Sequence, residues 1–345
     1  MACLVLRWEI MSEIPRLVDR FPQPNRRQLL ASLVPPPRFA AVAFSTYQPE
    51  PGQPSQAAAV MALSSFASRL CQPAARRLWW RRAPPPPEYR CGVYLDGAFG
   101  VGKTHLLASL WHEVAEPKVF CTFAELTHVI GALGLNVVVE ALADSRLLCI
   151  DAFELDDRSD TDLMSALLAR LTQRGVSIAA TSSELPAALD MDRFDADDFL
   201  REIQGLAAHF DVFRLDGDDY LHRTLSPGPT PRSNAELEKA AAAKSGLVLD
   251  DFGALMAHLA LVHPSRYGAL VQDVSGVSLR GVHTIDDPQI AMPFVVLVDR
   301  LYDRSISVMA SGTPLDQVFG NELLRSGYRR KYLRAISRLR ELTGY

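Results

Sequence analysis

The stretch Gly97-Ala98-Phe99-Gly100-Val101-Gly102-Lys103-Thr104 has the spacing G-x-x-x-x-G-K-[ST] and constrains the fold more than any other part of the chain. Such a loop carries meaning only between a strand and a helix. Here an apolar run, Cys91 to Leu95, precedes it, and a helical pattern, Thr104 to Trp111, follows. Backbone amides at a helix N-terminus point at anions, and the helix dipole favours negative charge there. Lys103 is therefore expected to reach the β- and γ-phosphates of a nucleoside triphosphate, and the Thr104 hydroxyl to take one Mg²⁺ position. Gly97 to Thr104, with His105 next in line, form the expected nucleotide-binding set, with ATP and Mg²⁺ as ligands.

At 345 residues the chain is too long for one ordinary core. Its 48% hydrophobic and 22% charged content is that of a globular protein. No apolar run approaches the roughly 18 residues of a membrane span. The start is charged at Arg7, too early for a signal peptide, and a cytoplasmic location is expected. A formal charge of −4 lends no support to bulk nucleic-acid binding. The five cysteines form no C-x-x-C pair, and free buried thiols are expected.

Proline clusters at 35–37 and 84–87 suggest an extended lead-in over residues 1–90, with one helix near 54–80. Residues 91–225 alternate strand-like runs (91–95, 119–123, 147–153, 176–181, 210–215) with helical patterns. One helix places Leu163, Leu167, Leu168 and Leu171 on a single face. That alternation predicts an α/β domain, a parallel sheet with helices on both faces. After a turn-rich linker at 226–233, residues 226–345 are expected to form a smaller helix-rich domain, with helices at 249–263, 288–304 and 328–342.

A second part of the nucleotide site is expected at Leu147-Leu148-Cys149-Ile150-Asp151, an apolar strand ending in an aspartate that would hold Mg²⁺. Ala152 follows, where ATP-hydrolysing relatives of this type usually carry a glutamate that polarises the attacking water; alanine can neither accept a proton nor orient water. Glu154 sits about 7 Å further along at the usual strand rise and is a poor substitute. Another apolar strand ends in Thr181-Ser182-Ser183 and is expected to lie between the two motif strands. Ser183 is the first choice there to sense the γ-phosphate. Arg193 and Arg201 are candidates for an arginine finger presented to a neighbouring subunit. The basic tract from Arg325 to Arg340 stacks Arg330, Arg334 and Arg338 along one helix face. It reads as a solvated face, as arginines turned to nucleotide, or, less favoured in an acidic chain, as a single-stranded nucleic-acid surface.

On these residues the chain resembles the AAA+ ATPases of the cell-division protein ZapE family, whose mitochondrial relatives are AFG-type, lactation-elevated ATPases. The resemblance runs from about Arg38 to the C-terminus. Beyond the phosphate loop and Leu147–Phe153 it rests on Arg174–Val176, Ala180–Ser183 and three more specific tracts, Leu215–Tyr220, Leu297–Arg304 and Arg330–Leu339. It implies a P-loop NTPase of the AAA+ type that hydrolyses ATP to ADP and phosphate and remodels protein partners. Those partners would be FtsZ and the septal ring in bacteria, or quality-control clients in mitochondria. It also implies a homo-oligomeric ring, a hexamer by analogy. Three positions depart from the family pattern: Ala152 for glutamate, Ser183 for asparagine and Leu221 for arginine. The first puts hydrolysis in doubt, and both an engineered trap and a natural hydrolysis-poor member fit it. The competing classes are an ATP-dependent loader or clamp on single-stranded nucleic acid, and a small-molecule kinase.

Overall fold

The computed structural model describes residues 14–71, 92–98, 100–153, 158–182, 210–217 and 230–343. The chain divides into two compact units, Pro24–Leu225 and a second that combines Met1–Gln23 with Ser226–Tyr345. The described residues of the expected lead-in are thus shared between the units, 14–23 with the C-terminal one and 24–71 with the larger one.

The larger unit runs α1 (Arg26–Ala31), α2 (Pro54–Cys71), β1 (Gly92–Gly97), α3 (Lys103–Glu113), β2 (Lys118–Thr122), α4 (Phe123–Leu133), α5 (Leu135–Leu142), β3 (Leu147–Asp151), α6 (Arg158–Gln173), β4 (Ser177–Ser182) and β5 (Phe210–Leu215). Its five strands are all parallel, in the order β2-β3-β4-β1-β5. β4 therefore lies between the phosphate-loop strand β1 and the aspartate strand β3, as the sequence predicts. β1 and β3 are buried along their whole length, which is why they read as unbroken apolar runs. Strand periodicity then sorts their side chains into two cores. Val93, Leu95, Leu147, Cys149 and Ala179 meet α2 and α3 on one face. Tyr94, Leu148, Ile150, Ile178 and Ala180 meet α4, α5 and α6 on the other. Leu167, Leu168 and Leu171 form the buried face of α6, as expected, with Met164 joining them. At the start of α4, Thr122 and Glu125 cap each other's backbone amides and free the chain to turn directly from β2 into the helix.

Cys121 and Cys149 are buried free thiols, and burial raises the Cys149 thiol well above its ordinary range, keeping it protonated. Among the described residues no single helix is long and apolar enough to cross a membrane. Only α4 with α5 passes jointly, and that pair bends by 117°.

The second unit contains α7 (Asn234–Ala243), β6 (Leu247–Asp251), α8 (Phe252–Leu261), α9 (Tyr267–Leu270), β7 (Gly276–Val282), α10 (Pro288–Asp303), β8 (Ser307–Gly312) and α11 (Arg329–Thr343). It is helix-rich, and it also holds a three-stranded parallel sheet, β6-β7-β8, that the helical expectation did not include. The expected helix at 249–263 is corrected accordingly: Leu249 belongs to β6, and Asp251 caps α8 by accepting from the Ala254 amide at 3.0 Å. Leu-rich sequence with short β-branched runs fits either state, and the parallel partner β7 decides it. Residues 14–23 complete this unit. Leu17 is fully buried in its core, and the buried Asp250 carboxylate accepts the Leu17 and Val18 amides at 2.9 and 3.1 Å.

The basic helix α11 is engaged inside its own unit. Arg338 donates to Asp299 of α10 in a close ion pair, and Arg334 approaches the same carboxylate at 3.7 Å. Arg338 also lies over the Tyr302 ring, and Arg340 pairs with Asp316 at 3.1 Å. Burial alone would raise the Asp299 carboxyl; Arg338, Arg334 and Arg300 outweigh it and hold the group below its ordinary range. Of the three sequence readings of the stacked arginines, the solvated face fails for Arg334 and Arg338, whose side chains are only 14% and 22% exposed. Asp299→Ala would strand two guanidinium groups beside a lost counter-charge, and breaking a buried pair costs about 3–5 kcal/mol. Denaturant unfolding followed by hydrogen exchange in α10 and α11 is expected to register a loss of that order, and Asp299→Asn a smaller one.

Candidate nucleotide site

The phosphate loop leaves β1 at Gly97, where an added Cβ would stand 2.5 Å from the Leu215 carbonyl of β5, so only glycine admits the strand pairing. It ends at Gly102, whose φ of 86° is left-handed and whose Cα faces the Tyr47 ring, 2.6 Å from where a Cβ would stand. α3 begins at the next residue. Its first amides have no partner within the helix and are the groups that meet phosphate oxygens in such loops. The Lys103 ammonium lies over the loop, donating to the Gly97 and Ala98 carbonyls at 2.6 and 2.7 Å. It is thereby held where a polyphosphate cradled by the loop would meet it. Phe99 lies outside the described residues.

Residues 43–56 brace the loop from outside, a role the sequence reading did not assign. The Tyr47 hydroxyl donates to the Val101 carbonyl at 2.7 Å, and burial pushes its pKa up to about 12, so it stays a donor. The His105 Nε2 lies 3.0 Å from Thr46 Oγ1 and 3.2 Å from the Ala43 carbonyl. The side chain of His105 thus faces this brace, and its backbone sits in the first turn of α3. Gln56, 1% exposed, donates to the Asp216 carbonyl and accepts from the Glu50 amide, both at 2.8 Å. The sequence carried no signal for it, since Gln56 becomes buried and Tyr47 half-buried only through these contacts, in a proline-rich stretch that reads as solvent-exposed.

Asp151 ends β3 and is 8% exposed. The Thr104 hydroxyl donates to its carboxylate, 3.0 Å from each oxygen, and the Thr181 hydroxyl of β4 donates to Oδ1 at 2.6 Å. Thr181 Oγ1 in turn accepts the Ala152 amide at 3.0 Å. The structure thus joins the two expected Mg²⁺ ligands, Thr104 and Asp151, and adds Thr181, which orients the second. A hydroxyl and a carboxylate within hydrogen-bond reach form the hard oxygen donor set that Mg²⁺ takes alongside phosphate oxygens and water, so the residues fit the metal. Ala152 itself has φ 51°, left-handed for a residue with a Cβ. The turn brings the Phe153 amide to the Thr181 carbonyl at 2.7 Å. Glu154, Ser183, Arg193 and Arg201 lie outside the described residues.

A parallel sheet with a glycine loop cradling a helix N-terminus, a hydroxyl–carboxylate pair beside it and an extra strand between the two motif strands defines a P-loop nucleoside triphosphatase. The sequence pattern of the AFG1-like ATPase family matches residues 24–247 and 226–345, and the chain belongs to that family. It is 26% identical over 295 residues to the cell division protein ZapE of Escherichia coli strain K12, covering 73% of this chain and 77% of the relative. Among solved structures, similar chains include a DnaC helicase loader, at 17% identity and TM-score 0.38 over 52% of this chain and 99% of the other. Domain III of the Thermotoga maritima replication initiation protein DnaA gives 20% identity and TM-score 0.39, over 54% of this chain and 70% of the other.

Lys103→Ala removes the ammonium poised over the loop and is expected to abolish ATP binding in a calorimetric titration. Thr104→Ala should weaken binding only when Mg²⁺ is present; an equal loss with and without the metal would refute its role as ligand.

Proposed function

We propose that the chain is an ATP-driven remodelling protein that works on protein partners as a homo-oligomer in the cytoplasm, with a ZapE-like role in cell division. We further propose that it holds ATP–Mg²⁺ for long periods because hydrolysis is slow. Family membership supports the ATPase, and the kinship with ZapE supports the division role. FtsZ or another division or quality-control protein is the partner class that this kinship suggests. The observation that carries slow turnover is Ala152. Its amide is bound to Thr181, directly beside Asp151, and it fills the sequence position at which the family resemblance expects a water-polarising glutamate. A positioned acid–base group contributes about 10²–10⁴-fold to such a step.

A ring of subunits would complete each site with an arginine from the neighbour, since positive charge stabilises the transferring phosphoryl group. Arg193 and Arg201 are the proposed fingers, and Ser183 the proposed γ-phosphate sensor. A protein that binds ATP without cleaving it accumulates in whichever assembly binds ATP best. The alternative of a single-stranded nucleic-acid clamp is less favoured, because Arg334, Arg338 and Arg340 of the basic tract are paired with carboxylates.

Ala152→Glu is expected to raise ATP turnover by about 10²-fold or more, measured as phosphate release beside the parent chain. A parent chain that already turns over several ATP per second would refute slow hydrolysis. Light scattering should show a shift to a larger species when ATP–Mg²⁺ is added, and charge reversal at Arg193 or Arg201 should weaken that shift while leaving ATP binding intact. An unchanged monomeric mass at saturating ATP would remove the oligomer from the proposal.

A further inference from the structure

A second carboxylate stands at the phosphate-loop end of the sheet, and nothing in the nucleotide site described above uses it. Asp96 is the last residue of β1 before Gly97, and it is only 6% exposed. Its strand neighbours in register are Ser182 of β4 and Arg214 of β5. On the other side of β4, Ile150 of β3 pairs with Ala180; β3 ends at Asp151, and the chain turns at Ala152. Tyr94, Ala180 and Ile150 all face the same core. By strand periodicity Asp96 and Ser182, paired in register, continue the row of Tyr94 and Ala180 on that face. The end of β4 is flanked by β1, which carries Asp96, and by β3, which ends one residue before position 152; neighbouring strands lie about 4.8 Å apart.

We propose that Asp96 supplies the general-base carboxylate that position 152 lacks, reaching the attacking water over the end of β4 from the phosphate-loop side. The proposal rests on the ATPase reading given above. In the step it performs, the water oxygen bonds to the γ-phosphorus as the bond to the β–γ bridging oxygen breaks. That electron pair leaves with ADP, the water proton passes to the Asp96 carboxylate, and from there it returns to solvent. Three features suit the group to this task. It sits on the strand that carries the phosphate loop. The Lys103 ammonium and the Arg214 guanidinium are close enough to favour its ionised form. Burial, the largest influence, nevertheless leaves its pKa above the ordinary aspartate value, against the lowering by Arg214, Lys103 and the Gly97 amide. A base of raised pKa takes a proton from water more readily at neutral pH. Aspartate is one methylene shorter than glutamate and acts here from the opposite strand, which accords with slow rather than absent turnover.

The test uses the full chain in four forms: parent, Asp96→Asn, Ala152→Glu and the double variant. Each is assayed for binding of a fluorescent ATP analogue with Mg²⁺ and for single-turnover phosphate release. The expected result is a fall of about tenfold or more in release for Asp96→Asn, with analogue affinity within about twofold of the parent. The double variant should release phosphate as fast as Ala152→Glu alone, because a glutamate at 152 makes Asp96 dispensable. Three results would overturn the proposal: no release by the parent, a parental rate in Asp96→Asn, or a double variant as slow as Asp96→Asn. The last would assign Asp96 a folding role, and it decides the matter even if Asp96→Asn melts early. A parent chain that does not bind the analogue would overturn the ATPase reading itself, an outcome separate from all three.

Discussion

The Asp151 carboxylate is the joint on which the nucleotide site turns. One hydroxyl from α3 and one from β4 converge on it, and the second also receives the backbone amide of Ala152. Three elements that are remote in sequence are thereby held within hydrogen-bond distance of one group. A buried carboxylate without donors would be costly; here both donors come from residues with other work at the site. The arrangement fixes the carboxylate before any ligand arrives, and preorganisation of that kind spares reorganisation at the moment of reaction. It also explains why the strand order matters. With β4 inserted between β1 and β3, Thr181 can reach Asp151 from the side, and the loop at Gly97 remains open to phosphate.

Much of this was legible in the sequence. The phosphate loop, the aspartate strand and the intervening strand each carry a local signature, either a glycine spacing or an apolar run with a polar end. Signals of that kind survive without knowledge of tertiary contacts. The brace at residues 43–56 was not legible, because Tyr47 and Gln56 acquire their roles only through a carbonyl of the loop and a carbonyl beyond β5. Asp96 was passed over for a similar reason: one acidic residue before a glycine loop has no meaning until register shows what lies beside it. The small sheet of the second unit was missed because a short parallel strand such as β6 is defined by its partner rather than by its own five residues. Thr181, by contrast, was in view as one of three hydroxyl residues, and only geometry separates it from Ser182.

Asp299 and the arginines of α11 show what the more family-specific tracts contribute. Leu297–Arg304 and Arg330–Leu339 are far apart in sequence, and in the folded unit they are each other's partners through Asp299, Arg334 and Arg338. A hydrophobic contact at that place would tolerate many side chains. A desolvated carboxylate between two guanidinium groups tolerates few, since losing either sign leaves an uncompensated charge. Such a pair ties α10 to α11 in one orientation, whatever the surrounding apolar residues do.

The docking of residues 14–23 sets an order of events in the life of the chain. The Leu17 amide and the Asp250 carboxylate that receives it are separated by 233 positions. At a synthesis rate of about 5–20 residues per second, the partner of Leu17 emerges of the order of 10–50 s later. Within that interval every residue of the nucleotide-binding unit has left the ribosome, and contacts among them need no further chain. The smaller unit has no such freedom, since Leu17 emerges early and its core must wait for β6 to β8, Leu247 to Gly312. The half that carries the phosphate loop can therefore mature first, and the half that encloses it in sequence closes last.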